Sequence, residues 1–195
     1  MSSSSMDICC WLPSSGPRAD PMQFRVTRSG ACRFSAIHPV VADLLRMAAE
    51  DPLEQCPEGS ARLLPPPGED EELRRDWQDH VQPELRARFD AARSVVSGDL
   101  EVMSQGRGAD PVWSLEIPAQ HTDAWLSTLN ALRLALVAEH SLGEAELDGA
   151  DTEPDLSSGR GLALFRVHLY AFFQECLLRA LEEGESSVEE TGGPK

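Results

Sequence analysis

The chain has 195 residues, 41% of them apolar, which is enough for one domain of common size with its own core. Its 33 acidic residues outnumber 17 basic ones, and the formal charge of −16 argues against non-specific nucleic-acid binding, which depends on Lys and Arg neutralising phosphates. No apolar run approaches the roughly 20 residues of a membrane span, and the Ser-rich start lacks the basic and apolar segments of a secretory signal, so the expected location is the cytoplasm.

Residues 1–21 are rich in Ser, Pro and Gly without periodicity, and are expected to form a disordered extension. From Met22 the pattern alternates. Phe24 and Val26, a Ser29-Gly30 turn, then Cys32, Phe34 and Ala36 predict a β-hairpin. Pro39 suits a first helical turn, and Val40, Val41, Leu44, Leu45, Met47 and Ala48 make an amphipathic helix ending near Asp51-Pro52. Residues 52–68 read as a loop closing on the proline run Pro65–Pro67, with Leu63 and Leu64 as a clip onto the core.

Residues 69–98 are a charged helical region. Glu69 to Glu72 load its first turn, where the helix dipole favours anions, and Leu73, Trp77, Val81, Leu85, Phe89, Ala92 and Val96 recur every three or four residues. Pro83 is expected to break it in two, and Gly98 to end the second half. A loop follows over residues 99–111, and Val112–Ile117 alternates as a candidate third strand. The best-formed helix is His121–Gly143: Thr122 is its expected N-cap, Trp125, Leu126, Leu129, Leu132, Leu136 and Val137 form its stripe, and Gly143 marks its stop. Residues 144–158 read as an acidic loop. The last helix runs from about Gly161 to Leu181, apolar over more than half its circumference and therefore central. Residues 183–195 are expected to be a disordered acidic tail.

The expected fold is mainly α, with about five helices in one bundle-like domain over residues 22–182 and a small antiparallel hairpin. The site chemistry is sparse. No HExxH, Walker-type loop, nucleophile elbow or kinase set occurs, and the glycines at 106–108 and 159–161 follow no strand of a βαβ unit. The histidines are scattered and the five cysteines form no CxxC pair, so neither a metal nor a cofactor is expected. Cys176 falls in an apolar run as a small core residue, while Cys32 and Cys56, near strand ends or loops, are the redox candidates.

The informative polar residues lie on the two apolar helices: Asn130 and Arg133 on one, Gln174 and Glu175 on the other. Packed side by side, the helices would have Arg133 answered by Glu175 or by an acid from residues 69–79, since an unpaired buried guanidinium costs several kcal/mol. Asn130, Arg133 and Glu175 are therefore expected to specify the fold. A groove in which Arg133 grips a partner's carboxylate is the functional alternative.

AWLSTLNALRLALVAEHSLG at 124–143, with ARLLPP at 61–66, PELRARF at 83–89 and LYAFFQECLLRAL at 169–181, resembles a bacterial domain family of unknown function, numbered two thousand and seventeen. Such domains are often encoded beside the adaptor of the Clp protease, and some are described as oxidative-stress regulators of the AosR type. The resemblance implies a small cytoplasmic α-rich regulator that binds a protein partner, without catalytic residues. Three functions follow as expectations: a non-enzymatic interaction module linked to transcription or stress response, with no direct nucleic-acid or membrane contact; a thiol sensor closing a reversible disulfide; and an enzyme of unknown class.

Overall fold

In a computed structural model, residues 22–50, 63–106, 112–148 and 155–189 are described. Strand β1 (Gln23–Val26) pairs antiparallel with β2 (Cys32–Ile37), Phe24 standing opposite Phe34. The turn between them is held by Thr27, whose amide donates to the Ala31 carbonyl at 2.8 Å and whose Oγ1 accepts from the Ala31 amide at 3.1 Å; Gly30 supplies the left-handed residue at φ +78°. The expected third strand, β4 (Trp113–Ile117), lies antiparallel along the other edge of β2, and a two-residue β3 (Ser104–Gln105) adds to β4, giving the order β1-β2-β4-β3. Arg33 and Glu116 are direct cross-strand partners on the outer face, joined by an ion pair.

The alternation expected through Ala36 stops short. The register of β2 against β4 shifts between Phe34 and Ile37, and Ala36 sits at φ +56°. This bulge puts Ile37, rather than Ala36, on the fully buried face with Cys32 and Phe34.

Helix α1 (Pro39–Glu50) buries Val41, Ala42, Leu44, Leu45 and Ala48, while Val40 and Met47 reach solvent. Helix α2 departs from expectation at both marked breaks. It runs continuously through Glu71–Asp76, a π-helical segment Trp77–Val81, and Gln82–Glu101. The Gln82 amide bonds to the Trp77 carbonyl, five residues back, so the wide turn lies directly before Pro83 and accommodates a residue that has no N–H. Gly98 does not end the helix either, because Val96, Asp99 and Leu100 are buried and packing carries it on to Glu101.

After a 3₁₀ turn (Ala119–His121), helix α3 (Thr122–Glu139) buries Trp125, Leu129, Leu132 and Leu136. Thr122 is its first residue rather than its cap, and is itself buried. The helix stops ahead of Gly143. Ser141 takes the left-handed position at φ +49°, its amide bonding Ala138 O at 3.2 Å, and the Leu142 amide bonds Val137 O at 3.0 Å, the pattern of a Schellman cap. Part of the expected acidic loop is a short helix, α4 (Glu144–Asp148).

Helix α5 (Gly159–Glu189) begins earlier than expected and continues past Leu181. Gln174 bonds Leu126 and Arg160 bonds His140, so α3 and α5 run antiparallel side by side. The inner face of the sheet packs on α5, with the Phe34 and Phe173 rings stacked at 4.3 Å, and the Tyr170 hydroxyl donates to Leu44 O on α1 at 3.3 Å. Among the described residues the result is mainly helical, with five helices and a small antiparallel sheet. Among the described residues no helix is long and apolar enough to cross a membrane.

Candidate functional site

Three polar or unpartnered features stand out. The first is a buried node at the start of α3. Because α2 runs on past Gly98, it carries Asp99 into the core, 7% exposed. There the carboxylate accepts from Trp125 Nε1 at 2.8 Å and lies 2.9 and 3.0 Å from His121 Nδ1. One carboxylate thus joins α2 to the first turn of α3 and satisfies an indole N–H that is fully enclosed.

The second is a polar seam between α3 and α5. Arg133 Nη1 donates to Gln174 Oε1 at 2.6 Å, and Gln174 Nε2 donates onward to Leu126 O at 3.2 Å. Glu175 does not answer Arg133; it faces solvent and pairs with Arg179 at 2.9 Å, one turn along its own helix. The expected acids of residues 69–79 do not answer it either: they lie on, or just before, a stretch of α2 with no buried residue. Asn130 is exposed, so its closeness to the stripe in sequence does not bring it into the seam. Burial pulls the Arg133 guanidinium below its ordinary value. His168, also in this region, is lowered by burial and by Arg133, with a hydrogen bond to the Glu146 backbone opposing them.

The third is the outer length of α2. From Glu71 to Val95 no residue is buried. Leu73 and Val81 are 50% and 38% exposed, while Trp77, Leu85 and Phe89 are half-buried, with the Trp77 indole nitrogen itself buried; among the described residues none of the five belongs to the core cluster or packs against it. Residues four apart on an α-helix advance about 40° per step, and the wider π turn at Trp77–Val81 takes back part of that drift, holding the five closer to one face. Six acids (Glu69, Asp70, Glu71, Glu72, Asp76 and Asp79) flank its outer end against Arg74 and Arg75. Asp70 caps the helix, accepting from the Glu72 and Leu73 amides.

A clamp closes the far end of the helix pair. Arg160 grips the Glu146 carboxylate through Nε and Nη2 at 2.9 and 2.7 Å, and also donates to the carbonyls of His140 and Ser141 at the end of α3. Glycine at 161 is required by closeness: a Cβ there would lie 2.1 Å from the Asp155 carbonyl oxygen. Gly161 therefore serves the tight turn that leads into α5, while a Cβ at Gly159 would meet nothing within 4 Å.

Of the redox candidates, Cys32 is 1% exposed with its thiol raised by burial, and Cys56 lies outside the described residues. Cys176 is a buried core residue as expected, its thiol pushed up to about 12, chiefly by burial. Among the described residues no three His, Cys, Asp or Glu side chains converge as a metal set. The sequence offered no signal for the Asp99 node, since Gly98 marks a helix end and places Asp99 in a loop; Gln174 was legible as a polar residue in an apolar run, but not as the partner of Arg133.

No curated protein and no solved structure matches the chain. A family model does, over residues 19–181. With most of its length covered, the chain belongs to the domain-of-unknown-function family DUF2017.

Proposed function

We propose that this protein is a non-enzymatic, cytoplasmic regulatory module that works by binding another protein, with the outer length of α2 as its docking face. The observation that carries the reading is the stripe Leu73, Trp77, Val81, Leu85 and Phe89, apolar and, among the described residues, outside the core cluster. Helical stripes of this spacing are recognised by the apolar face of a second helix. The acids at the outer end of α2 select a partner whose flanking residues are basic. The same acids, with the charge of −16, oppose pairing with a second copy or with nucleic acid. The likeness to AosR-type regulators supplies the setting, transcription or regulated proteolysis in a bacterial cell. A reversible disulfide involving Cys32 gains no support from that residue's burial.

The test is co-purification of the full chain from native lysate at physiological salt, beside a Leu73→Glu, Val81→Glu variant. Both positions are exposed, so the variant should keep the parent's melting temperature and lose a specific basic partner. Absence of any partner, or an unchanged set with the variant, would refute the reading.

A further inference from the structure

We propose that the free edge of β1 is a second docking surface, which adds to the sheet an extended segment of a partner protein with an acid between two apolar residues. β1 is an outermost strand, and among the described residues no strand pairs with its other side. Which of its backbone groups face that side follows from the hairpin. The Thr27 amide donates to Ala31 O at 2.8 Å, and residue pairs alternate from there between bonded and unbonded. Arg25 therefore exchanges backbone bonds with Arg33, while Phe24 and Val26 turn their N–H and C=O groups outward. Sheet edges are ordinarily blunted by shortness, proline, lysine or a bulge. The opposite edge strand, β3, has two residues, whereas β1 has four in unbroken register with no proline or lysine among them.

The sheet itself supplies the pattern of the occupant. In Phe24-Arg25-Val26, the two apolar side chains pack on the core and Arg25 is exposed on the outer face. β2 repeats this opposite, as Phe34-Arg33-Cys32. The other edge of β2 is filled by Leu115-Glu116-Ile117 of β4, with Glu116 paired to Arg33 and Leu115 beside Phe34. A strand added to β1 meets the same apolar–Arg–apolar pattern, and the complement is again an acid flanked by apolar residues. In such additions main-chain bonds supply affinity and alternate side chains supply specificity. The outer face lacks that acid: Arg25 stands directly opposite Arg33 as a like charge, and Glu116 lies beyond Arg33. Residues 21–42 carry Arg25, Arg28 and Arg33 and no acidic residue, so the hairpin is a basic region in a chain of charge −16, complementary to an acidic segment. A second copy fits poorly, because its own β1 offers an arginine where the acid belongs. The edge shares no residue with the α2 face, so either surface can fail alone.

The experiment titrates the ¹⁵N-labelled full chain with a capped peptide of residues 113–117, WSLEI, and follows amide shifts and hydrogen exchange. In the free protein the Phe24 and Val26 amides should exchange quickly. With peptide they should shift saturably and exchange more slowly. A peptide with lysine in place of the glutamate should bind about fivefold more weakly, and Arg25→Glu should reverse the order of the two peptides. Arg25 is exposed and the substitution sets an acid opposite Arg33, so the variant is expected to fold. Protection of both amides before peptide is added overturns the proposal, because the chain or a second copy then already covers the edge. No saturable shift at Phe24 and Val26, shifts confined to β2 and β4, equal binding of the two peptides, or an order unchanged in Arg25→Glu overturns it as well.

Discussion

Trp125 donates its indole N–H to Asp99 at 2.8 Å, tying the first turn of α3 to the last turn of α2 inside the core. Asp99→Ala would leave that N–H without an acceptor where water does not reach, and would also release His121. The expected loss is about 2–3 kcal/mol in urea unfolding, with about 1 kcal/mol for Asp99→Asn, which keeps an acceptor. Trp125 fluorescence should follow the same transition. An alanine variant as stable as the parent would show that the node contributes nothing.

Two backbone positions should respond in opposite directions. Ser141 occupies a left-handed conformation at a helix end, so Ser141→Gly should stabilise the fold by about 1 kcal/mol. Gly161→Ala should cost about 2 kcal/mol or more, because the new methyl meets the Asp155 backbone rather than a movable side chain. Differential scanning calorimetry of the two variants checks both signs.

His168 carries a pH dependence separable from that of the carboxylates. Its folded value is lowered, first by burial and then by Arg133, so between the unfolded value near 6.5 and the lowered one the unfolded chain binds the proton more readily. Its contribution is complete above about pH 6.5 and is lost as pH falls through that window. Stability measured against pH should decline there in the parent, and His168→Gln should flatten the decline. A decline of equal slope in both proteins would assign it to other groups.

The two described thiols should be inert in the folded protein. Cys32 and Cys176 are buried and both are raised by that burial, so little thiolate is present at neutral pH. Iodoacetamide followed by peptide mass spectrometry should label them only after denaturation. Rapid native labelling of Cys32 would restore it as a sensor candidate.

By itself the sequence determined the elements whose signal is local. Periodicity marked the cores of α1, α3 and α5, alternation marked β2 and β4, and the Ser29-Gly30 turn set the hairpin, because each depends on residues within a few positions of one another. It also placed Arg133 and Gln174 as the polar exceptions on apolar helices. Tertiary structure decided the rest. Whether Gly98 ends a helix depends on what Asp99 and Leu100 can bury against; whether Pro83 breaks one depends on a π turn that the chain takes just before it. The choice of Gln174 over Glu175 for Arg133 is likewise rotational, since adjacent helical residues point about 100° apart and only one of them faces α3. Local preference names the candidates, but contacts between distant segments select among them, and those contacts exist only once the chain has folded.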